Sequence, residues 1–158
     1  MMAEEKEKAK LKLWKKKEEV KKQAPKIDET SPTSLYKICK DLFGEKSVNI
    51  EELYEAVSFT VAPDPTELIK NGMAFYDQKI KETEKSNRII AAAHCWNAGR
   101  LAVYEGDVKK AQEYFGKYVK MHPESPFIKS FKFYEDDDKA AMAIQVAQEY
   151  YKRAKYKS

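Results

Sequence analysis

The sequence predicts an all-α fold: a compact bundle of helical hairpins preceded by a charged N-terminal helix. Three observations carry this reading. Apolar residues recur at three- and four-residue steps through most of the 158 residues, the period of one helix face. Glycine and proline are scarce, at 5 and 6 residues, which leaves little material for loops. No stretch alternates with a period of two for long enough to require a sheet. The length suits one domain. With 35% charged residues and a mean hydropathy of −0.75, its core must be thin and its solvated surface large.

Residues 1–23 read as a helical arm. They hold nine lysines against five glutamates, with pairs such as Glu4–Lys8 and Glu18–Lys22 at helical spacing. Ala9, Leu13, Trp14 and Val20 make a narrow apolar seam, enough for docking on a partner but too narrow to nucleate a core. Residues 24–33 are polar, contain two prolines and read as a linker. The helical domain is then expected over 34–158. Its first part, 34–62, is a helix–loop–helix. Leu35, Ile38, Cys39, Leu42 and Phe43 mark the first face, and Gly44 ends it. Asn49 and Glu52 form a capping box for a second helix carrying Leu53, Ala56 and Val57. The loop lacks the oxygen ligands of a calcium-binding hand. Glu51, Glu52 and Glu55 stand where a DNA-reading helix would need bases.

Over 63–123 the sequence predicts three longer helices. Asp64-Pro65-Thr66-Glu67 starts the first, which is expected to run unbroken to about Glu84 with Leu68, Ile69, Gly72, Phe75, Tyr76 and Ile80 on its buried stripe. The second runs from Asn87 to about Glu105, and the third from Val108 to about Met121, where Pro123 stops it. A connector rich in aromatics follows, with Phe127, Phe131, Phe133 and Tyr134 read as a surface suited to self-association. The last helix is expected over 136–155, starting on the acidic cap Asp136–Asp138.

Two glycines inside GRLAVYEGDVKKAQEYF, Gly99 and Gly106, raise a physical question, because an interior glycine costs a helix about 1 kcal/mol against alanine. A closely packed antiparallel hairpin answers it: Gly99 and Ala111 permit close approach, and Gly106 reverses the chain in the left-handed conformation. The stretch Ala92–Pro123 resembles a tetratricopeptide repeat. Asn97 and Gly99 match the first helix of that motif, Gly106-Asp107 its turn, and Ala111, Phe115 and Pro123 its second helix. Cys95, Ala98 and Ala102 are smaller than the residues common in the family. A second repeat is not legible, since a 34-residue step from Gly99 reaches Pro65 in one direction and Phe133 in the other. The resemblance implies a concave, partner-facing surface on the first helix: Trp96, Asn97, Arg100 and Val103, with Tyr104 at its rim. The arm supplies a second expected contact through Leu13, Trp14, Lys15, Lys16 and Lys17.

Catalytic constellations are absent from the pattern. The only histidines, His94 and His122, are 28 residues apart and have no second ligand at metal spacing. His94 and Cys95 are neighbours on a helix and point about 100° apart, so they do not pair as base and nucleophile. No phosphate-binding glycine loop or nucleophile elbow occurs. Asp136–Asp138 are accounted for by capping and the helix dipole. The expectation is therefore a non-enzyme without cofactor or metal: a cytoplasmic adaptor with reduced, buried Cys39 and Cys95, no membrane insertion, and a protein partner held in a helical groove. The alternative is a nucleic-acid or ribonucleoprotein accessory factor that neutralises phosphates with its basic ends, the arm and Lys152, Arg153, Lys155 and Lys157. The glutamates interleaved in the arm argue against it.

Overall fold

The close packing that Gly99 implies is the centre of the fold. The computed structural model describes residues 31, 33–44, 49–61 and 64–154; the arm and the last four residues lie outside them. Among the described residues the structure is all-α. The order is α1 (Leu35–Phe43), α2 (Ile50–Val61), α3 (Thr66–Asn71), α4 (Met73–Thr83), α5 (Arg88–Glu105), α6 (Val108–Met121), α7 (Ile128–Lys132), a 3-10 turn (Phe133–Glu135) and α8 (Asp137–Arg153).

Local chemistry sets the boundaries. The Ser34 side chain caps α1, and Gly44 at φ 63° closes it by donating to the Lys40 carbonyl. Asn49 Oδ1 accepts from the backbone N–H groups of Glu51 and Glu52 at 3.0 and 3.3 Å, starting α2. Asn87, Asp107 and Asp136 cap α5, α6 and α8 in the same manner. Between α5 and α6, Gly106 takes φ 80° and ψ 20°. Its N–H reaches the Val103 carbonyl at 3.1 Å while Asp107 N–H reaches Ala102 at 2.9 Å, the paired bonds of a Schellman reversal.

The single helix expected over 64–84 is two helices. Gly72 stands between α3 and α4 at φ 82° and ψ 165°, and its N–H closes α3 on the Leu68 carbonyl. That backbone conformation cannot continue a helix, so α4 restarts on a new heading and the apolar stripe divides. Leu68, Tyr76 and Ile80 are buried, whereas Ile69 and Phe75, expected on the same stripe, are exposed.

α5 and α6 form the most extensive helix pair, with α4 laid along the other side of α5. α1, α2 and α8 close the bundle from the opposite direction. A Cβ added at Gly99 would lie 2.3 Å from the Phe115 ring, so the two helices meet there with no room for a side chain. Phe115 in turn packs against Phe131 and Tyr134, with ring centroids at 5.3 and 4.7 Å. Tyr134 shares a 3.0 Å hydrogen bond with the Thr60 hydroxyl, tying the 3-10 turn to α2. Gln148 of α8 donates to the Val103 and Tyr104 carbonyls at 2.8 and 2.6 Å. It thereby adds a second donor to the Val103 carbonyl and supplies one to that of Tyr104 at the end of α5. The aromatic connector therefore serves this chain's own core. Phe131, Phe133 and Tyr134 are buried, and only Phe127 is exposed as expected for a self-association surface.

Two glycines in this hairpin should respond oppositely to alanine. Gly99→Ala forces a methyl group into the Phe115 ring and should cost about 1–3 kcal/mol, as overpacking does. Gly116 in α6 has nothing within 4 Å of an added Cβ, so Gly116→Ala should gain about 0.5–1 kcal/mol. Urea unfolding of the two variants checks both signs.

Candidate functional site

α5 carries the residues singled out from sequence, and its two halves have different environments. Every residue from Ala98 to Val103 is buried. Val103, expected on a partner-facing surface, has no exposure, and Arg100 retains 5%. Neither is accessible to a partner in this conformation: α2 lies against Arg100, and Gln148 of α8 reaches the Val103 carbonyl. Arg100 Nε donates to the Thr60 backbone carbonyl at 3.0 Å and its Nη1 donates to Asn97 Oδ1 at 3.2 Å. The guanidinium carbon sits 4.9 Å from the centre of the Trp96 ring. Arg100 thus binds a peptide backbone, and that backbone is its own α2. Burial pulls its pKa below the usual arginine value. Tyr104 is half-buried and meets Tyr151 of α8 edge-on. Of the expected face, Trp96 and Asn97 keep partial exposure. Leu13, Trp14, Lys15, Lys16 and Lys17 lie outside the described residues.

The N-terminal half of α5 is open instead. Trp96 stacks on Phe59 of α2 at 5.0 Å, and Phe59 stacks on Phe127 at 4.4 Å. With Ile89 and Ala93 these rings line a groove of about 380 Å³, floored by Tyr118 and His122. Ile89 and Phe127 are 49% and 48% exposed. A clamp holds the rim: Arg88 donates to the Met121 carbonyl at 2.6 Å and pairs with Glu124 at 2.8 Å. This joins the start of α5 to the end of α6 and positions the segment that presents Phe127.

A second, polar crevice of about 300 Å³ lies between α3 and α5, lined by Asp64, Glu67, Phe75, His94, Asn97 and Arg100. His94 Nδ1 is buried there with no hydrogen-bond partner. Burial first, and then the nearby Lys79, lowers the His94 pKa below its ordinary value. Asp64 is held below the usual carboxylate range because it accepts from the Thr66 hydroxyl and N–H.

Sequence reasoning missed Phe59 and Ile89 as lining residues, and it read Phe127 as a self-association surface rather than as part of this groove. A signal existed for Ile89: Ile89 and Ile90 point about 100° apart on a helix, so both can face one core only if that core surrounds the helix. Phe59 offered none, since it is indistinguishable by periodicity from its buried neighbours.

Cys39 and Cys95 are buried free thiols whose pKa values burial pushes up to about 11. They stay protonated near neutrality and are poor nucleophiles. Among the described residues, no group of three or more His, Cys, Asp or Glu is arranged to hold a metal ion. No helix there is long and apolar enough to cross a membrane. Comparison with known protein families, with curated proteins and with solved structures returned no match.

Two outcomes follow from this geometry. Arg100→Met should lower stability by about 1–3 kcal/mol, because the Thr60 carbonyl loses its donor in a buried setting; denaturant unfolding measures it. For His94, the folded pKa is below the unfolded one, so the unfolded chain binds more protons as pH falls. Stability should therefore decline as pH falls through the ordinary imidazole range, about 6.5, towards the lower folded value. His94→Gln should flatten that slope in melting curves taken across the same range.

Proposed function

We propose that this chain is a non-catalytic protein-interaction module, an adaptor of tetratricopeptide-like type that takes a segment of a partner protein along the N-terminal half of α5. One observation carries the reading. On a chain with 35% charged residues, Phe59, Ile89, Trp96 and Phe127 leave an aromatic and aliphatic groove open. Apolar surface gathered in one concave place on an otherwise charged molecule is the mark of an interaction site. Trp and Phe are also the side chains that anchor partners best per ordered rotor.

The hairpin supports the likeness to the repeat family in its details. Gly99 sits against Phe115, Gly106 reverses the chain, and Pro123 follows the end of α6. What differs is the place of the ligand, because the chain's own α2 meets Arg100 and its α8 meets Val103. The partner contact therefore moves towards the start of α5. Buried, protonated thiols suit a reducing cytoplasmic setting.

Affinity capture with the full chain, with and without nuclease, tests the reading against the Ile89→Asp/Phe127→Asp double variant. Both positions are exposed, so the variant should fold normally by circular dichroism. A defined protein retained after nuclease treatment and lost with the variant is the expected result. Material that vanishes with nuclease and ignores the variant would move the function to the basic ends and nucleic acid.

A further inference from the structure

The polar crevice beside the aromatic groove has a chemistry that an apolar contact leaves unused. Asp64 and Glu67 are exposed on one side of it, and His94, Asn97 and Arg100 of α5 line another. Its hydrogen-bonding capacity is unevenly spent. Arg100 is engaged with the Thr60 carbonyl and Asn97 Oδ1. Asn71 Nδ2 donates to the Tyr76 hydroxyl at 3.1 Å, which leaves the Asn71 side-chain oxygen as an acceptor. Asp64 Oδ1 accepts from the Thr66 N–H at 2.9 Å and from the Thr66 hydroxyl, so Oδ2 remains. Among the described residues, neither Asp64 nor Glu67 makes an ion pair. His94 Nδ1 is buried without a partner. The lowered His94 pKa keeps the ring neutral, and a neutral ring can accept at one nitrogen. The charged groups left to spend are therefore both acceptors.

Taking the groove reading above as its basis, we infer that this crevice is a second subsite for the same partner segment and takes an arginine side chain, whose guanidinium donates to Glu67, Asp64 Oδ2 and His94 Nδ1. Three arguments select this occupant. The first is charge. Two carboxylates face one guanidinium in the lining, a net charge of −1 with His94 neutral, and an incoming arginine brings the site to neutrality. Lys79, which bears on His94, is already paired with Glu82 at 3.5 Å and lies over the Phe75 ring. An anionic side chain would meet both carboxylates and is refused.

The second argument is shape. The acceptors come from separate elements, Asp64 and Glu67 from the start of α3 and His94 from α5. A planar fork with five donors reaches acceptors on two sides at once, whereas an ammonium is a point charge. A guanidinium is also more weakly hydrated, so it loses less on entering a crevice with Leu68 and Phe75 in its walls. At about 300 Å³ the crevice lies at the small end of ligand sites, the scale of one side chain.

The third argument is register. Ala93 and Trp96 line the groove, while their chain neighbours His94 and Asn97 line the crevice. Adjacent residues on a helix point about 100° apart, so the two openings lie on neighbouring faces of the same two turns of α5. A helix is about 10 Å across, a distance that an extended segment covers in about three residues. One segment can fill the groove with an apolar anchor and the crevice with an arginine a few residues away.

The test uses the full chain labelled with nitrogen-15 and acetyl-arginine-methylamide as the probe, with the citrulline and lysine counterparts for comparison. Citrulline keeps the shape and loses the charge; lysine keeps the charge and loses the fork. The readout is the ring-nitrogen resonances of His94, told apart from those of His122 by His94→Gln. The arginine probe should shift them along a saturating curve with a dissociation constant on the order of 1 mM. The other two probes should bind about tenfold more weakly. Glu67→Gln, at an exposed position, should weaken the arginine probe by about three- to tenfold with the circular dichroism unchanged. Four results overturn the inference: no saturating shift at His94; His122 moving in step with it; citrulline or lysine binding as tightly as arginine; or indifference to Glu67→Gln. Ile89→Asp with Phe127→Asp alters the groove alone and should not weaken the probe. Binding of the arginine probe by a chain that captures no protein would keep the guanidinium site and overturn the adaptor reading. Capture of a protein through the groove by a chain that ignores the probe would do the reverse.

Discussion

The ring of Phe115 packs close against the backbone at Gly99, and the spacing of the whole bundle depends on that contact. A ring of this kind buries on the order of 200 Å², which at about 25 cal/mol per Å² contributes up to about 5 kcal/mol. Against that, the glycine costs α5 only about 1 kcal/mol of helix propensity, so the close approach wins. The same ring carries the contact onward to Phe131 of α7 and Tyr134 of the 3-10 turn. Tyr134 then reaches the Thr60 hydroxyl and the Ala56 carbonyl of α2. One missing side chain thus sets the separation of α5 and α6, and through Phe115 it sets where α2 comes to rest.

α2 rests against α5 at Arg100. Arg100 is the reason it fits there, because a buried guanidinium needs acceptors and the Thr60 carbonyl and Asn97 side chain supply them. This helix is no loosely held lid. Leu53, Ala56 and Val57 are fully buried or nearly so, and each large apolar side chain contributes about 1.5–3 kcal/mol to its retention. Displacing it would dismantle the core. The last turn of α2 also supplies Phe59 to the aromatic groove.

Much of this was legible in sequence and some was not, for definite reasons. Caps are local chemistry, so Ser34, Asn49, Asn87, Asp107 and Asp136 announce helix starts without any tertiary information. The hairpin was legible because Gly99, Gly106 and Ala111 answer a packing demand that few other residues can meet. Gly72 was misjudged because a glycine at a stripe position reads as close packing or as a break with equal ease, and only its φ of 82° decides. Burial of Arg100 involves α2, and Val103 is met by α8, contacts across about 40 residues or more that periodicity cannot express. The connector failed for the same reason: Phe131 and Tyr134 look exposed until Phe115 is placed beside them.

The division of α5 explains why an interaction surface is hard to see in its sequence. A helix apolar on all sides reads as fully buried, and from Ala98 to Val103 that reading is right. At Ile89, Ile90 and Ala93 the same composition meets no covering element among the described residues, because α2 and α8 meet α5 around its C-terminal half. Core-like residues on the side of a helix that no element covers become surface, without any change in residue type. Polar substitution there would cost the fold little, yet the chain places two isoleucines and an alanine beside Trp96 and Phe127. Apolar side chains in such a place gain nothing by facing water. Left open, Ile89 and Ala93 join Trp96 and Phe127 in the groove on which the proposed interaction rests.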